Sequence, residues 1–464
     1  MPQNWATFGG DLHLDLAVGG GSRRAGLERA LRDAIRAGRL TPGTRLPSTR
    51  GLATELGLAR NTVSAAYDQL VAEGYLAARH GSGTVVAGLP HPPHPTSPPA
   101  PPEAAAPRYD LRPGSPDVST FPTTAWVRSL RRALATAPAS RYDYGAPAGT
   151  RELRTVLSEY LGRARGVLAS PERIVVTSGY VQALALLAGV VEGQIATEDP
   201  GLPFHRELIR RHGRGVAPIP VDRHGVRADL LSTKERAVLV TPAHQYPTGA
   251  TLAPGRRNSL TEWARATGGL IVEDDYDGEF RYDRQPVGAL QGMAPDHVVY
   301  IGTASKTLGP ALRLAWMVLP AHLVEPVTDA KRYADAHTES LGQLALADLI
   351  ATHGYDRHVR ACRLRYRRRR DLLVARLGRR HPLGGIAAGL HAMITLPAGG
   401  PTEGEVLATA ADRGLAVGEL GSHWHTVGTG AGERPQGIIV GYGTPPERGY
   451  LAALDTLARV LRGV

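Results

Sequence analysis

Between residues 170 and 303 short apolar runs recur with almost no polar alternation. Ile174-Val175-Val176, Val238-Leu239-Val240, Leu270-Ile271-Val272 and Val298-Val299-Tyr300-Ile301 each read as a parallel strand covered on both faces. Each run ends in a polar segment bearing Gly or Asp, and helical stretches lie between them. This pattern predicts an open α/β sheet with its ligand site at the strand C-termini. From about Arg332 onward the pattern predicts a long helix and then a smaller α+β unit. The run Arg363–Arg370, with Leu364 and Leu372, is expected to form an amphipathic helix with a solvated basic face rather than a second DNA site.

The N-terminal block follows a different pattern. Leu27, Ala30, Leu31, Ala34 and Ile35 repeat at helical spacing. Pro42-Gly43 marks a turn, and Ser48 is placed to cap a short helix bearing Leu52, Ala53 and Leu56, which Gly57 ends. A further helix starts near Ala59 or Arg60, carries Val63, Ala66, Tyr67 and Leu70 on one face, and stops at Gly74. Residues 75–78 and 84–87 then flank His80-Gly81-Ser82-Gly83 as a hairpin. Two helices across a tight turn followed by a hairpin make a winged helix-turn-helix, assigned to residues 11–88. Residues 89–107 hold nine prolines in nineteen positions and read as a semi-rigid linker. Residues 108–464 form the remaining domain.

Composition narrows the function classes. With 464 residues, 42% hydrophobic and 21% charged, the chain can bury more than one core. Its single cysteine, Cys362, excludes an internal disulfide framework and fits a reducing cytoplasm. There is no run of eighteen apolar residues and no basic-then-apolar leader, so a cytoplasmic location without membrane contact is expected. A net charge of +11 favours a polyanionic partner, and the stretch from Ser22 to Gly88 holds ten Arg against five acids. Double-stranded DNA is the expected partner. Arg60, Asn61, Thr62 and Ser64 begin the helix that would enter the major groove. Arg50 is placed to clamp backbone, and His80 and Gly81 at the wing tip to reach the minor groove.

The second block carries the parts of a cofactor site. Pyridoxal 5'-phosphate requires an amine, an acid against its ring nitrogen, a donor to its phenolic oxygen and a phosphate cradle. Lys306 offers the amine, Asp274 the acid and Tyr276 the donor. Thr303, Ser305 and Arg313 flank the lysine as phosphate ligands. Ser178, Gly179 and Tyr180 offer N–H groups at a helix start. A calcium loop is excluded, because the position that needs Glu after Gly278 is Arg284, and no metal is expected.

Gly38–Arg50 (GRLTPGTRLPSTR), Leu52–Val63 (LATELGLARNTV), Ala66–Leu70 (AYDQL), Glu73–Leu76 (EGYL) and Gly81–Thr84 (GSGT) resemble the GntR-type winged-helix family. That resemblance implies DNA contacts at Arg50, Arg60, Thr62, Ser64, His80 and Gly81. From Arg108 to Val464 the chain resembles fold-type I aminotransferases. The matching motifs are Tyr144–Gly149 (YGAPAG), Val176–Gly179 (VTSG), Glu198–Gly201 (EDPG), His244–Gly249 (HQYPTG), Glu273–Phe280 (EDDYDGEF) and Gly302–Leu308 (GTASKTL). Taken whole, the chain resembles the MocR (GabR-like) transcriptional regulators. The resemblance implies a winged helix joined to an aminotransferase-like domain with a large α/β sheet part and a small α+β part. It also implies Lys306 as Schiff-base lysine, Asp274 as pyridinium partner and Tyr276 as phenolate donor. Thr303 and Arg313 fall at phosphate positions, and Tyr144 reaches the phosphate across a homodimer interface. The chain departs from the family at Leu202, where an aromatic is usual (Phe204 follows two residues on). Tyr180 is bulkier than the usual residue, Tyr246 replaces an Asn, and Gly437–Tyr442 lacks an Arg for a substrate carboxylate. The expected function is a regulator that senses pyridoxal phosphate, or a small amine or amino acid reacting with it. An aminotransferase with a fused DNA-binding module is the alternative, and a cofactor-free scaffold is a third reading.

Overall fold

The Ser48 hydroxyl accepts the Gly51 N–H, and Gly57 closes the same helix at φ 62, so Thr49–Leu56 is cut to length by its own ends. Ser22 caps the preceding helix, Arg23–Arg36, in the same way. The third helix, Arg60–Ala72, buries Val63, Ala66, Tyr67 and Leu70, the stripe predicted from spacing. Leu76–Arg79 and Gly83–Val86 pair antiparallel as the wing, and Arg45 adds a bridge to Val85 on its flank. Leu27, Leu31, Leu52 and Leu70 meet in one core beneath these elements.

The chain divides into two compact units, Met1–Ala104 and Ala105–Val464. This computed structural model describes residues 22–79, 83–88, 106–283, 287–378, 380–425 and 434–463. The expected wing-tip residues His80 and Gly81, residues 11–21 of the expected first domain, and residues 89–105 of the expected linker lie outside the described residues. No helix among the described residues is long and apolar enough to cross a membrane.

The second unit is built on an eight-stranded sheet. In spatial order its strands are Ile174–Thr177, Ala315–Val318, Val298–Thr303, Leu270–Asp275, Glu235–Val240, Gln194–Asp199, Val216–Asp222 and Gly225–Val226. The five from Val298–Thr303 to Val216–Asp222 run parallel. The expectation that Ile174–Thr177 pairs as a parallel strand is corrected. Its partner is the antiparallel Ala315–Val318, which in turn pairs antiparallel with Val298–Thr303. All four residues of Ile174–Thr177 are nonetheless buried, which explains the uninterrupted apolar run. Val216–Asp222 carries Pro218 and Pro220 and lies next to the sheet's edge, where missing donors are tolerated.

The smaller part is a four-stranded antiparallel sheet in the order Leu383–Gly384, His391–Thr395, Gly437–Gly441, Gly418–Glu419. In place of the single long helix expected from about Arg332, the structure has the end of Ala321–Asp335 and then two helices, Ser340–Ala351 and Gly354–Leu377. A left-handed residue, His353 at φ 57, separates the last two.

The basic run in Gly354–Leu377 also needs correction. The buried stripe is Tyr355, Val359, Cys362, Tyr366, Arg369, Leu373 and Leu377, whereas Leu364 is 69% exposed. Arg369 is therefore not part of a solvated face. Its guanidinium is fully buried, pairs with Asp117 at 2.8 Å, and donates to the carbonyls of Tyr442 and Gly443. It joins the start of the second unit to the smaller sheet. Arg369→Ala strands a buried carboxylate and is expected to cost about 3–5 kcal/mol. Arg368→Ala, on the exposed face, is expected to change stability by less than about 0.5 kcal/mol. Urea unfolding of the full chain checks both, and equal midpoints for the two variants would refute the buried pair.

Candidate functional site

In the first unit the start of Arg60–Ala72 is bare. Its N-cap, Ala59, has no side chain to occupy the first N–H groups, so these remain open to a phosphate oxygen. Arg60 and Asn61 are exposed there, and Thr62 and Ser64 are half-buried on the same helix. Arg50 is exposed on the preceding helix. Arg45 was not singled out from sequence, yet it lies under the wing, with its Nε 3.4 Å from where a Cβ on Gly83 would be. Its signal was weak, a lone arginine in a turn.

In the second unit the chemistry gathers where two parallel strands end side by side. Ile301 is opposite Asp274, and Gly302 opposite Asp275. Three consecutive acids close the strand Leu270–Asp275, and strand geometry sends the middle one to the opposite face. Glu273 accepts the N–H groups of Leu290 and Gln291. Asp275 takes two guanidinium bonds from Arg165, at 2.7 and 2.9 Å, and the Tyr300 hydroxyl at 2.7 Å. Asp274 is buried too, but its Oδ1 has no hydrogen-bond partner. Two of the three acids hold the fold, and the third has an unmet acceptor.

Lys306 follows the adjacent strand. Its Nζ donates to the Gly114 carbonyl, on the segment that opens this unit. Burial lowers its pKa against the pull of Asp274 and Asp277. Burial likewise raises the Asp274 carboxyl well above the usual range, with Lys306 opposing. The two groups sense each other, and the low-dielectric site weakens the charged form of each.

A second cluster forms at the helix Tyr180–Val190. Gly179 precedes it at φ 109, and a Cβ there would come within 2.9 Å of Arg313 Nη2, so only glycine admits this arginine. Arg313 itself sits in the left-handed region at φ 52. Thr303 Oγ1 and Ser305 Oγ are hydrogen-bonded at 3.0 Å. The Ser178 N–H and hydroxyl are both engaged by Gln182, which is held by Asp335 and through it by Lys331. The Tyr276 hydroxyl donates to the His244 carbonyl at 2.9 Å. The structure therefore brings Lys306, Asp274, Tyr276, Thr303, Arg313, Gly179 and Tyr180 to one end of the sheet. Tyr144 stands apart, 88% exposed and edge-on to His337.

Residues not foreseen complete the surroundings. Asp277 binds His244 Nδ1 at 2.9 Å, and the His391 ring lies 4.6 Å from His244 with Nε2 unpartnered. Ligand atoms of these three lie within 4.8 Å of one another. His244 and Asp277 are bonded directly, and His391 joins them through its ring contact with His244. Tyr246 packs edge-on against His391 and lies beside His423. Burial holds His391 well below the usual imidazole range and His423 at about 4, so both are neutral at physiological pH.

Over residues 110–416 the chain matches the family described as aminotransferase class I and II, and over residues 24–86 that of bacterial regulatory proteins, gntR family. The HTH-type pyridoxine biosynthesis transcriptional regulator PdxR of Corynebacterium glutamicum is 34% identical over 445 residues, covering 94% of this chain and 93% of the relative. The probable rhizopine catabolism regulatory protein MocR of Rhizobium meliloti is 36% identical over 380 residues, covering 76% and 77%. A solved kynurenine aminotransferase of Pyrococcus horikoshii superposes with a TM-score of 0.69 at 25% identity, over 76% of this chain and 90% of that one.

The chain has only three lysines, 234, 306 and 331. Reductive methylation with formaldehyde, mapped by mass spectrometry, is expected to label Lys306 at lower pH than the exposed Lys234, because the neutral amine is the nucleophile. Identical pH dependence at the two sites would disprove a depressed Lys306.

Proposed function

Because the chain belongs to the MocR-like transcriptional regulators, a gntR-family winged helix joined to an aminotransferase class I and II domain, we propose that it binds operator DNA as a homodimer under the control of pyridoxal 5'-phosphate. The controlling signal is either that cofactor or a small amine or amino acid that reacts with it. The observation that carries the reading is the pairing, at one strand end, of a half-buried amine on Lys306 with the unpartnered oxygen of Asp274. The name of the C. glutamicum relative, a regulator of pyridoxine biosynthesis, supports the cofactor itself as the signal.

The residues present fit that cofactor. Asp274 has a buried acceptor free for a ring N–H, and Gly179 leaves space under Arg313 that a side chain would fill. Pyridoxal phosphate supplies an aldehyde that condenses reversibly with a primary amine. Lys306 is the amine that holds it. With the cofactor bound, Asp274 would hold a proton on the ring nitrogen and the Tyr276 hydroxyl would donate to the phenolic oxygen. Thr303, Arg313 and the N–H groups of Gly179 and Tyr180 hold the phosphate. Ser178 acts one step back, since Gln182 already occupies its donors. Tyr144, pointing to solvent in one chain, serves the site of a second copy.

Lys306 also gives the site a way to report its state. Its contact with the Gly114 carbonyl ties the cofactor end of the large sheet to the segment entering from the linker. A ligand that takes up the amine removes this donor, which provides the differential affinity for two arrangements that any switch requires. Transamination is disfavoured, because Gly437–Gly441 brings no guanidinium to the site and Arg434 lies over the Trp424 ring at 5.1 Å.

In the first unit Arg60 and Asn61 read base edges, while Arg50, Thr62 and Ser64 grip phosphates. Binding of the purified protein to DNA from upstream of its own gene is expected to change when pyridoxal phosphate is added, and Lys306→Ala is expected to abolish the change. Identical binding with and without the cofactor would refute the sensor. Arg60→Ala is expected to weaken specific binding by about 1–3 kcal/mol, measured by competition against unrelated duplex.

A further inference from the structure

We propose that Tyr180 supplies the aromatic face on which the cofactor's ring lies in this chain, an inference that rests on reading the site as a pyridoxal phosphate pocket. Tyr180 is the first residue of the helix Tyr180–Val190, so its backbone stands next to Gly179 at the phosphate end, under Arg313. Its hydroxyl is buried at the other end of the site, beside the Asp274 carboxyl. The phenol ring thus runs from the phosphate cradle to the acid, the same two points that a bound pyridoxal phosphate must span. One side of the ring is backed by His205, with centroids 4.7 Å apart and planes 30° from parallel. His205 is neutral, since burial, with Arg206 and Lys306 adding, holds it at about 3. Although its hydroxyl is buried, Tyr180 as a whole is only half-buried.

Leu202, Phe204 and Tyr246 do not offer this surface. Leu202, before the helix Pro203–Arg211, is aliphatic, and Phe204 is 53% exposed. The ring of Tyr246 is committed to Tyr276, His391 and His423. An electron-poor pyridinium prefers an offset stack on an electron-rich phenol. The His205–Tyr180 pair provides a stiff, uncharged backing for such a stack.

Titrating the full chain with pyridoxal phosphate, followed by the absorbance and induced circular dichroism of the bound chromophore, tests the proposal. Tyr180→Phe keeps the ring and is expected to bind within about twofold of the parent chain. Tyr180→Leu is expected to raise Kd about tenfold, equivalent to about 1.4 kcal/mol, and to diminish the induced signal. The double variant Tyr180→Thr with Leu202→Tyr, which moves the aromatic to the neighbouring position, is expected to recover most of the affinity. Unchanged affinity in Tyr180→Leu would overturn the stack. Tighter binding in Tyr180→Leu would also overturn it, by showing that the phenol fills the cofactor's own space. If the parent chain binds no pyridoxal phosphate and Lys306→Ala is indistinguishable from it, the underlying reading of the site has failed instead.

Discussion

The Arg165–Asp275 ion pair is the interaction on which the site depends. Both side chains are 1% exposed, and neither charge could stay in that interior alone. Asp275 also accepts the Tyr300 hydroxyl, and Arg165 also donates to the Gly278 carbonyl, so the pair bonds three segments that meet at the strand ends. With Glu273 held by two backbone donors, the strand can neither slip nor turn over without unpairing buried charge. Asp274 is presented on the other face by that fixed register. Its isolation follows from how firmly its neighbours are bound.

A second constraint joins the two sheets of the C-terminal unit. The segment that opens it pairs at Tyr109–Asp110 with Leu415–Ala416, and its Leu111 carbonyl accepts the Gly441 N–H. It ends on Asp117, held by Arg369 and by the Tyr366 hydroxyl. Between these anchors Gly114 receives Lys306. The segment is thus tied strongly to the smaller sheet and weakly, through one amine, to the larger. On the proposed reading that imbalance is the useful feature. The weak tie is the one a ligand can replace at a cost of a single hydrogen bond, about 1 kcal/mol, while the strong ties keep the fold intact in both states.

What was legible in the sequence was local. Ser48, Gly57 and the stripe Val63, Ala66, Tyr67, Leu70 set helix ends and faces within a few residues, and these agree with the structure. The buried strands were legible because two-sided burial leaves no polar alternation. Which strand lies next to which was not, because Ala315–Val318 inserts between Ile174–Thr177 and Val298–Thr303 through pairings more than a hundred residues apart for one neighbour and about fifteen for the other. Arg369 was misread for a related reason. Its partners are at 117, 442, 443 and 447, and nothing inside an arginine run distinguishes the member that turns inward. The cluster of His244, Asp277 and His391 draws on three separate segments; two of its members lie in recognised motifs, but nothing local shows that they meet each other or His391. Asp274 was singled out by spacing, and the structure adds a physical reason to prefer it over Glu273 and Asp275.

The choice of cation sharpens the chemistry of the site. Of 54 Lys and Arg residues only three are lysines, so the basic surface is almost wholly guanidinium. A guanidinium keeps its proton at any physiological pH and grips phosphate by a fixed fork, but it is no nucleophile toward an aldehyde. An aldehyde-bearing ligand therefore finds few competing amines on this protein. Lys234 is exposed and strongly hydrated, and Lys331 is clamped to both oxygens of Asp335. Lys306 alone of the three combines partial access with a depressed pKa and an adjacent acid. Selectivity for one amine is thus built in twice, by the local field at the strand ends and by the near-absence of lysine elsewhere. A polyanion is free to occupy the arginines without touching the one side chain that can form a covalent tie.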